Sequence, residues 1–131
     1  MFSFVRSNAG HNFPAVVQLP TAASAAYKVG DALVLSSGAL AKATGETAPT
    51  YVCAEAYTAP ASGQKEIAVY PIYSFQEWET TLSAAGTSLN IGDKVTINTD
   101  AAQVTATTTK GVAEIVNMQG TAAGSKVIVK F

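Results

Sequence analysis

The sequence predicts a mainly β protein: a compact β-barrel or sandwich built from two duplicated β-units, with an extended N-terminal arm and one short helix. Three observations carry this expectation. Apolar and polar residues alternate with period two in several short runs, turn residues punctuate those runs, and one phrase occurs twice. "VGDALVLSSGALAKAT" (29–44) and "IGDKVTINTDAAQVTATT" (91–108) each open on a β-branched residue, then Gly-Asp, then an alternating run, a turn and an Ala/Thr-rich stretch. The correspondence continues through "YVCAEAY" and "GQKEIAVYPI" in the first half and "GVAEIV" and "GSKVIVKF" in the second. In order, the landmarks are Gly-Asp, a strand, a polar turn, Ala-Glu, a Gly-headed turn and a closing strand. This reading sets the units at 28–72 and 90–131, with spacing slips in the turns, where insertions cost little.

Each strand follows from its alternation. Val95 and Ile97 point one way and Lys94, Thr96 and Asn98 the other; Val127, Val129 and Phe131 oppose Lys126 and Lys130; Ile67 and Val69 alternate with Glu66, Ala68 and Tyr70. A half-buried strand demands this period, and Val, Ile, Thr and Tyr suit it. Gly, Asp, Asn and Ser between the runs supply the turns of a barrel or sandwich. Duplicated units of this kind are expected to close around one shared core.

Two segments fall outside the units. In the linker 73–89, Ser74 precedes Glu77 by three residues, which is a capping-box spacing. Phe75, Trp78 and Leu82 follow at helical intervals, and Gly86 stands where a helix would stop. The spacing predicts a short helix over 74–86, with a strand as the other reading because Thr80 and Thr81 disfavour a helix. Residues 1–27 have no counterpart in the second half. Pro14 and Pro20 oppose a regular helix or central strand there, and the stretch reads as an extended arm preceding a single domain, 28–131.

Composition narrows function. Hydrophobic residues make up 48% of the 131 and charged residues 13%, the latter about half the usual share. A low-charge surface of small residues favours a chain covered by partners in an assembly. The net charge of −1 is spread singly, leaving no basic stripe for nucleic acid. No apolar run approaches the ~20 residues that cross a bilayer. The opening "MFSFVRSNAGHNF" does not read as a secretory leader, and one cysteine cannot form an internal disulfide, so synthesis in a cytoplasm is expected.

Candidates for chemistry are few. His11 has no nucleophile or carboxylate near it in sequence, and Cys53 sits in a strand-like run where a small buried hydrophobe is the usual role. Asp31 and Asp93 recur because a turn before a strand uses Asp to accept backbone amides. Glu55 and Glu114 recur as outward members of matching strands. There is no phosphate loop, G-x-S-x-G or helical His pair. The sequence therefore predicts no enzyme, no cofactor and no metal site. Partner binding is assigned instead to the aromatic and flanking residues outside the units: Phe2, Phe4, Val5, Arg6, His11 and Phe13 on the arm, and Tyr73, Phe75 and Trp78 on the linker, with packing in the core an equal reading for the linker group. On this reading, removing 1–13 leaves the isolated fold intact.

The series "VGDALVL", "KAT", "YVCAEAYTAPASGQKEIAVYPI", "IGDKVTI", "GVAEIV" and "AAGSKVIVKF" resembles the small capsid decoration, or cement, proteins of tailed bacteriophages, over about residues 25–131. The resemblance implies a mostly β protein on the outside of an expanded capsid. Its partner would be the major capsid protein, its own state a homotrimer at local three-fold positions, and its location the virion exterior, with no nucleic-acid or membrane contact. A β-rich module that binds glycans or a cell surface through Trp78 and Tyr73 is the alternative.

Overall fold

The computed structural model describes residues 1–9 and 14–131. Twelve strands follow one another: β1 (Ser3–Ser7), β2 (Val17–Pro20), β3 (Ala26–Tyr27), β4 (Ala32–Ser36), β5 (Ala39–Lys42), β6 (Tyr51–Cys53), β7 (Tyr57–Thr58), β8 (Glu66–Pro71), β9 (Gln76–Thr81), β10 (Lys94–Val95), β11 (Ala113–Met118) and β12 (Lys126–Lys130). One five-stranded sheet has the order β1-β9-β12-β11-β10 and the other β2-β8-β6-β4-β5, and β3 and β7 form a small pair. All pairings between these strands are antiparallel. The result is an all-β, sandwich-like fold. Single parallel bridges link Thr21, just after β2, to Leu40 of β5 and Leu82, just after β9, to Val104, without closing a barrel.

The Gly-Asp turns are built alike. Gly30 and Gly92 take left-handed φ values of 84° and 95°, open to glycine at no steric cost. Gly30 N–H donates to Cys53 O (2.8 Å), and Cys53 N–H returns a bond to Asp31 O (2.9 Å). In the second half Gly92 N–H donates to Ile115 O, and Ile115 N–H to Asp93 O, both at 2.8 Å. The aspartates cap their own turns: Asp31 Oδ2 accepts Lys28 N–H at 3.0 Å, and Asp93 Oδ2 accepts Asn90 N–H at 2.8 Å. These bonds account for both carboxylates as turn-forming groups.

The correspondence has other limits than the sequence suggested. Val17 pairs with Val69 and Leu19 with Ile67, as Trp78 pairs with Val129 and Thr80 with Val127. β2 and β9 thus occupy the same place in their sheets, so the matched stretches start before residue 28 and before residue 90. The Ala-Glu landmark is misaligned: Cys53, not Glu55, answers Ile115, and Glu55 lies outside β6. Nor is there one shared core. The larger cluster includes Trp78, Val95, Ile115, Val127 and Val129 with Ala32 and Val52 from the other sheet. A smaller one gathers Leu33, Leu40, Cys53, Ile67 and Val69 around Tyr27. Because alternate residues of a strand face opposite sides, Ala32 and Leu33, and likewise Val52 and Cys53, serve different cores. The sheet containing β4 and β6 is buried on both faces.

Two segment assignments are corrected. Residues 76–81 are strand β9, not helix, with Gln76, Trp78, Thr80 and Leu82 alternately buried at 3%, 1%, 2% and 0% exposure. The polar members of that face are satisfied: Gln76 Oε1 accepts Tyr73 N–H (2.9 Å) and Thr80 Oγ1 donates to Ala102 O (2.8 Å). The described residues before 28 do not form a free arm, because β1 and β2 are integral strands and the Phe2 side chain is buried. Both prolines are accommodated without breaking a central strand: Pro20 ends β2, at a sheet edge, and Pro14 precedes it.

The turn geometry sets an expected asymmetry. A Cβ at Gly92 meets nothing within 4 Å, whereas one at Gly30 would lie 2.0 Å from Met1 Cγ. Gly92→Ala should cost about 1–2 kcal/mol, the left-handed backbone penalty alone. Gly30→Ala should cost more, because Met1 must also move. Urea denaturation of the two variants measures the difference.

Candidate partner-binding surface

β1 brings the separated candidates together. It runs antiparallel to β9, with Phe4 opposite Trp78, Arg6 opposite Glu77 and Ser7 opposite Gln76, and with a bulge between Phe4 and Arg6. Asn8 N–H continues the contact by donating to Phe75 O at 2.8 Å. The first eight residues and the 73–78 segment therefore form one edge of the first sheet.

The nine predicted residues divide by burial. Phe2 and Trp78 are core residues, 2% and 1% exposed. Phe2 meets Phe131 edge-to-face at 5.5 Å, and Trp78 meets Phe4 in the same manner at 5.6 Å. Both side chains pack in the larger core of the chain. Phe4 and Phe75 are half-buried, while Val5, Arg6 and Tyr73 are exposed. Tyr73 is 52% exposed and stacks on Phe75, with centroids 5.4 Å apart and planes 8° from parallel. His11 and Phe13 lie outside the described residues.

Electrostatics fix this edge. The Glu77 side chain is 4% exposed and accepts Arg6 Nε at 2.7 Å, Arg6 Nη2 at 3.3 Å and Asn8 Nδ2 at 2.8 Å. Burial opposes ionisation of this carboxyl, but the Asn8 and Arg6 hydrogen bonds and the guanidinium charge outweigh it and hold its pKa below the ordinary value. Charge-assisted contacts of this kind are the stronger class of hydrogen bond. Sequence reading missed Glu77, whose partners lie some seventy positions upstream.

It also missed Val29 and Tyr70. With Met1, Phe4, Val52 and Trp78 they line an apolar groove of about 210 Å³ between the sheets. The buried Trp78 Nε1 has no hydrogen-bond partner among the described residues. Cys53, at the groove floor, is fully buried; its thiol donates to Glu55 O at 3.1 Å, and burial pushes its pKa up. Among the described residues no three His, Cys, Asp or Glu side chains are grouped so as to hold a metal ion.

Three outcomes are expected. Phe2→Ala should destabilise the isolated protein by about 3–5 kcal/mol, the usual cost of emptying a buried aromatic site. Deletion of 1–13 should lower the melting temperature markedly, reversing the expectation drawn from a free arm. Because the folded-state pKa of Glu77 is depressed, its contribution is present above the unfolded-state carboxyl pKa and is lost as pH falls through the folded value. Protection of the β1 amides against exchange, corrected for the intrinsic pH dependence, should therefore fall as pH drops through the depressed Glu77 pKa, and Glu77→Gln should flatten that dependence.

Comparison with models of known protein families, with curated protein sequences and with solved structures finds no match to this chain.

Proposed function

We propose that this chain is a non-enzymatic structural protein of a tailed-phage virion, binding the outer surface of the major capsid lattice and stabilising it. The observation that carries the reading is the edge formed by β1 and the 73–78 segment. There Val5 and Arg6 are exposed on β1, which is seated on Glu77 and Trp78, and Tyr73 is exposed on the turn leading into β9, stacked on Phe75. Aromatic and Arg side chains held in place by their neighbours suit a protein interface, since little ordering entropy remains to be lost on binding. The resemblance of the Gly-Asp-led strands to decoration proteins, the low charge and the matched turns support the same reading. The matched stretches are, in this view, two copies of one unit.

The mechanism is mechanical. A protein that bridges neighbouring lattice subunits opposes internal pressure, and by binding only the expanded lattice it favours that state by mass action. Repetition over the lattice turns modest single contacts into firm attachment. A homotrimer at local three-fold positions and a location on the virion exterior, after synthesis in the host cytoplasm, belong to this reading.

Glycan binding is the second reading, favoured by the exposed Tyr73–Phe75 stack. Its platform would be that pair, since Trp78 is buried and cannot face a sugar.

Cosedimentation with expanded capsid shells tests the proposal. Tyr73→Ala and Val5→Asp should each weaken shell binding at least tenfold while shifting the melting temperature little, because both side chains are largely exposed. Failure of the wild-type chain to bind shells, together with binding to a glycan array lost in Tyr73→Ala, would transfer the assignment to the glycan reading.

A further inference from the structure

The two Gly-Asp turns match in their bonds but not in their cover. At the first, residues 1 and 2 lie across the turn. Phe2 N–H donates to Gly30 O at 2.8 Å, and the Met1 side chain fills the space that a Cβ on Gly30 would take. Gly30 is buried, and Met1, Phe2, Val29, Val52 and Tyr70 share the walls of one groove. At the second turn nothing approaches the open side of Gly92 within 4 Å, and Gly92 O accepts no hydrogen bond among the described residues. Ile91 beside it is 68% exposed, the most of any large apolar side chain described.

The match extends to the strands that follow. Ala32 faces Val52, and Val52 faces Tyr70, across β4, β6 and β8. In the first sheet Lys94 faces Glu114, and Glu114 faces Lys130, across β10, β11 and β12. The apolar row packs with Phe2 and Trp78 in the larger core. The charged row instead lines an open recess of about 180 Å³, together with Ser74, Val112 and Phe131. Lys130 is paired with Glu114 at 3.1 Å, and Asp93 Oδ2 is taken up by Asn90 N–H. Lys94 is exposed and has no ion-pair or hydrogen-bond partner for its side chain among the described residues.

We infer that the turn at residues 91–92 and the recess at Lys94 bind an extended segment of a partner protein, in which an unbranched apolar residue is followed by an acidic one. The segment repeats at Gly92 what Met1 and Phe2 do at Gly30. Its backbone N–H donates to Gly92 O, its apolar side chain covers Gly92 and Ile91, and its carboxylate, standing where the Phe2 ring stands at the first turn, meets Lys94. In the recognition of extended peptides, backbone bonds supply affinity and side-chain pockets supply specificity. An unpaired ammonium selects for an acidic residue and against a basic one. The inference rests on neither the capsid nor the glycan reading.

Amide NMR of the whole chain, titrated at low ionic strength with the capped tetrapeptides Ala-Met-Glu-Ala and Ala-Met-Lys-Ala, tests it. The acidic peptide should give saturable shifts centred on residues 91–94, Glu114 and Lys130, with a dissociation constant on the order of 1 mM. That constant should be at least fivefold below the one for the basic peptide. Lys94→Gln should abolish the preference, and Ile91→Ser should weaken both peptides at least threefold. Both side chains are exposed, so neither substitution should move the melting temperature. Lys28→Gln, at another exposed lysine without an ion pair, should change nothing. No saturable shift at residues 91–92 with millimolar peptide, equal affinity for the two peptides, or a preference that survives Lys94→Gln would each overturn the inference. Shifts centred on Val5, Arg6 and Tyr73 would overturn it as well, by placing the peptide at the β1 edge.

Discussion

Trp78 sits where the two sheets and the N-terminal strand converge. It lies in β9, opposite Phe4 of β1 on one side and Val129 of β12 on the other. Tyr70 of the second sheet approaches its ring with centroids 6.5 Å apart. A sheet of short strands has little stability until one face is covered, and this side chain helps to supply the cover. It binds β1 to the sheet and the first sheet to the second through one buried aromatic group. Removing it would leave the largest void this core can suffer, and β1 would lose its main apolar partner.

Charge is used sparingly and mostly in pairs. Among the described residues, six ion pairs engage Glu77, Asp31, Glu55, Glu46, Glu79 and Glu114. Most are exposed, as in Lys126–Glu79 and Lys130–Glu114 across neighbouring strands of the first sheet, and contribute little to stability. Two differ. The Asp31 carboxylate is 2% exposed, lies 3.2 Å from Lys42 and also caps its turn. Glu77 is nearly as buried and has three donors. These two hold backbone segments in place, one at the first Gly-Asp turn and one at β1, where loss of a partner would strand a buried charge.

The two matched sheets are built unequally. The one containing β9 is completed within the chain by β1, and its inner face forms the larger core. The other is buried on both faces at its centre.

The sequence by itself determined the β class, the buried positions of the alternating strands and the chemistry of both Gly-Asp turns. These are local properties: Ile67, Val69, Val127 and Val129 alternate with polar neighbours, and Asp31 and Asp93 bond amides three residues away. Tertiary structure decided the rest. Gln76, Glu77 and Thr80 look like surface positions in the sequence, so the helical spacing of Phe75, Trp78 and Leu82 stood out instead. They are buried because Asn8, Arg6 and Ala102 supply their partners from distant parts of the chain, alongside one local amide from Tyr73. The same dependence moved Phe2 and Trp78 from surface to core. Which polar residue can be buried depends on what packs beside it, and a local pattern carries no record of that neighbour.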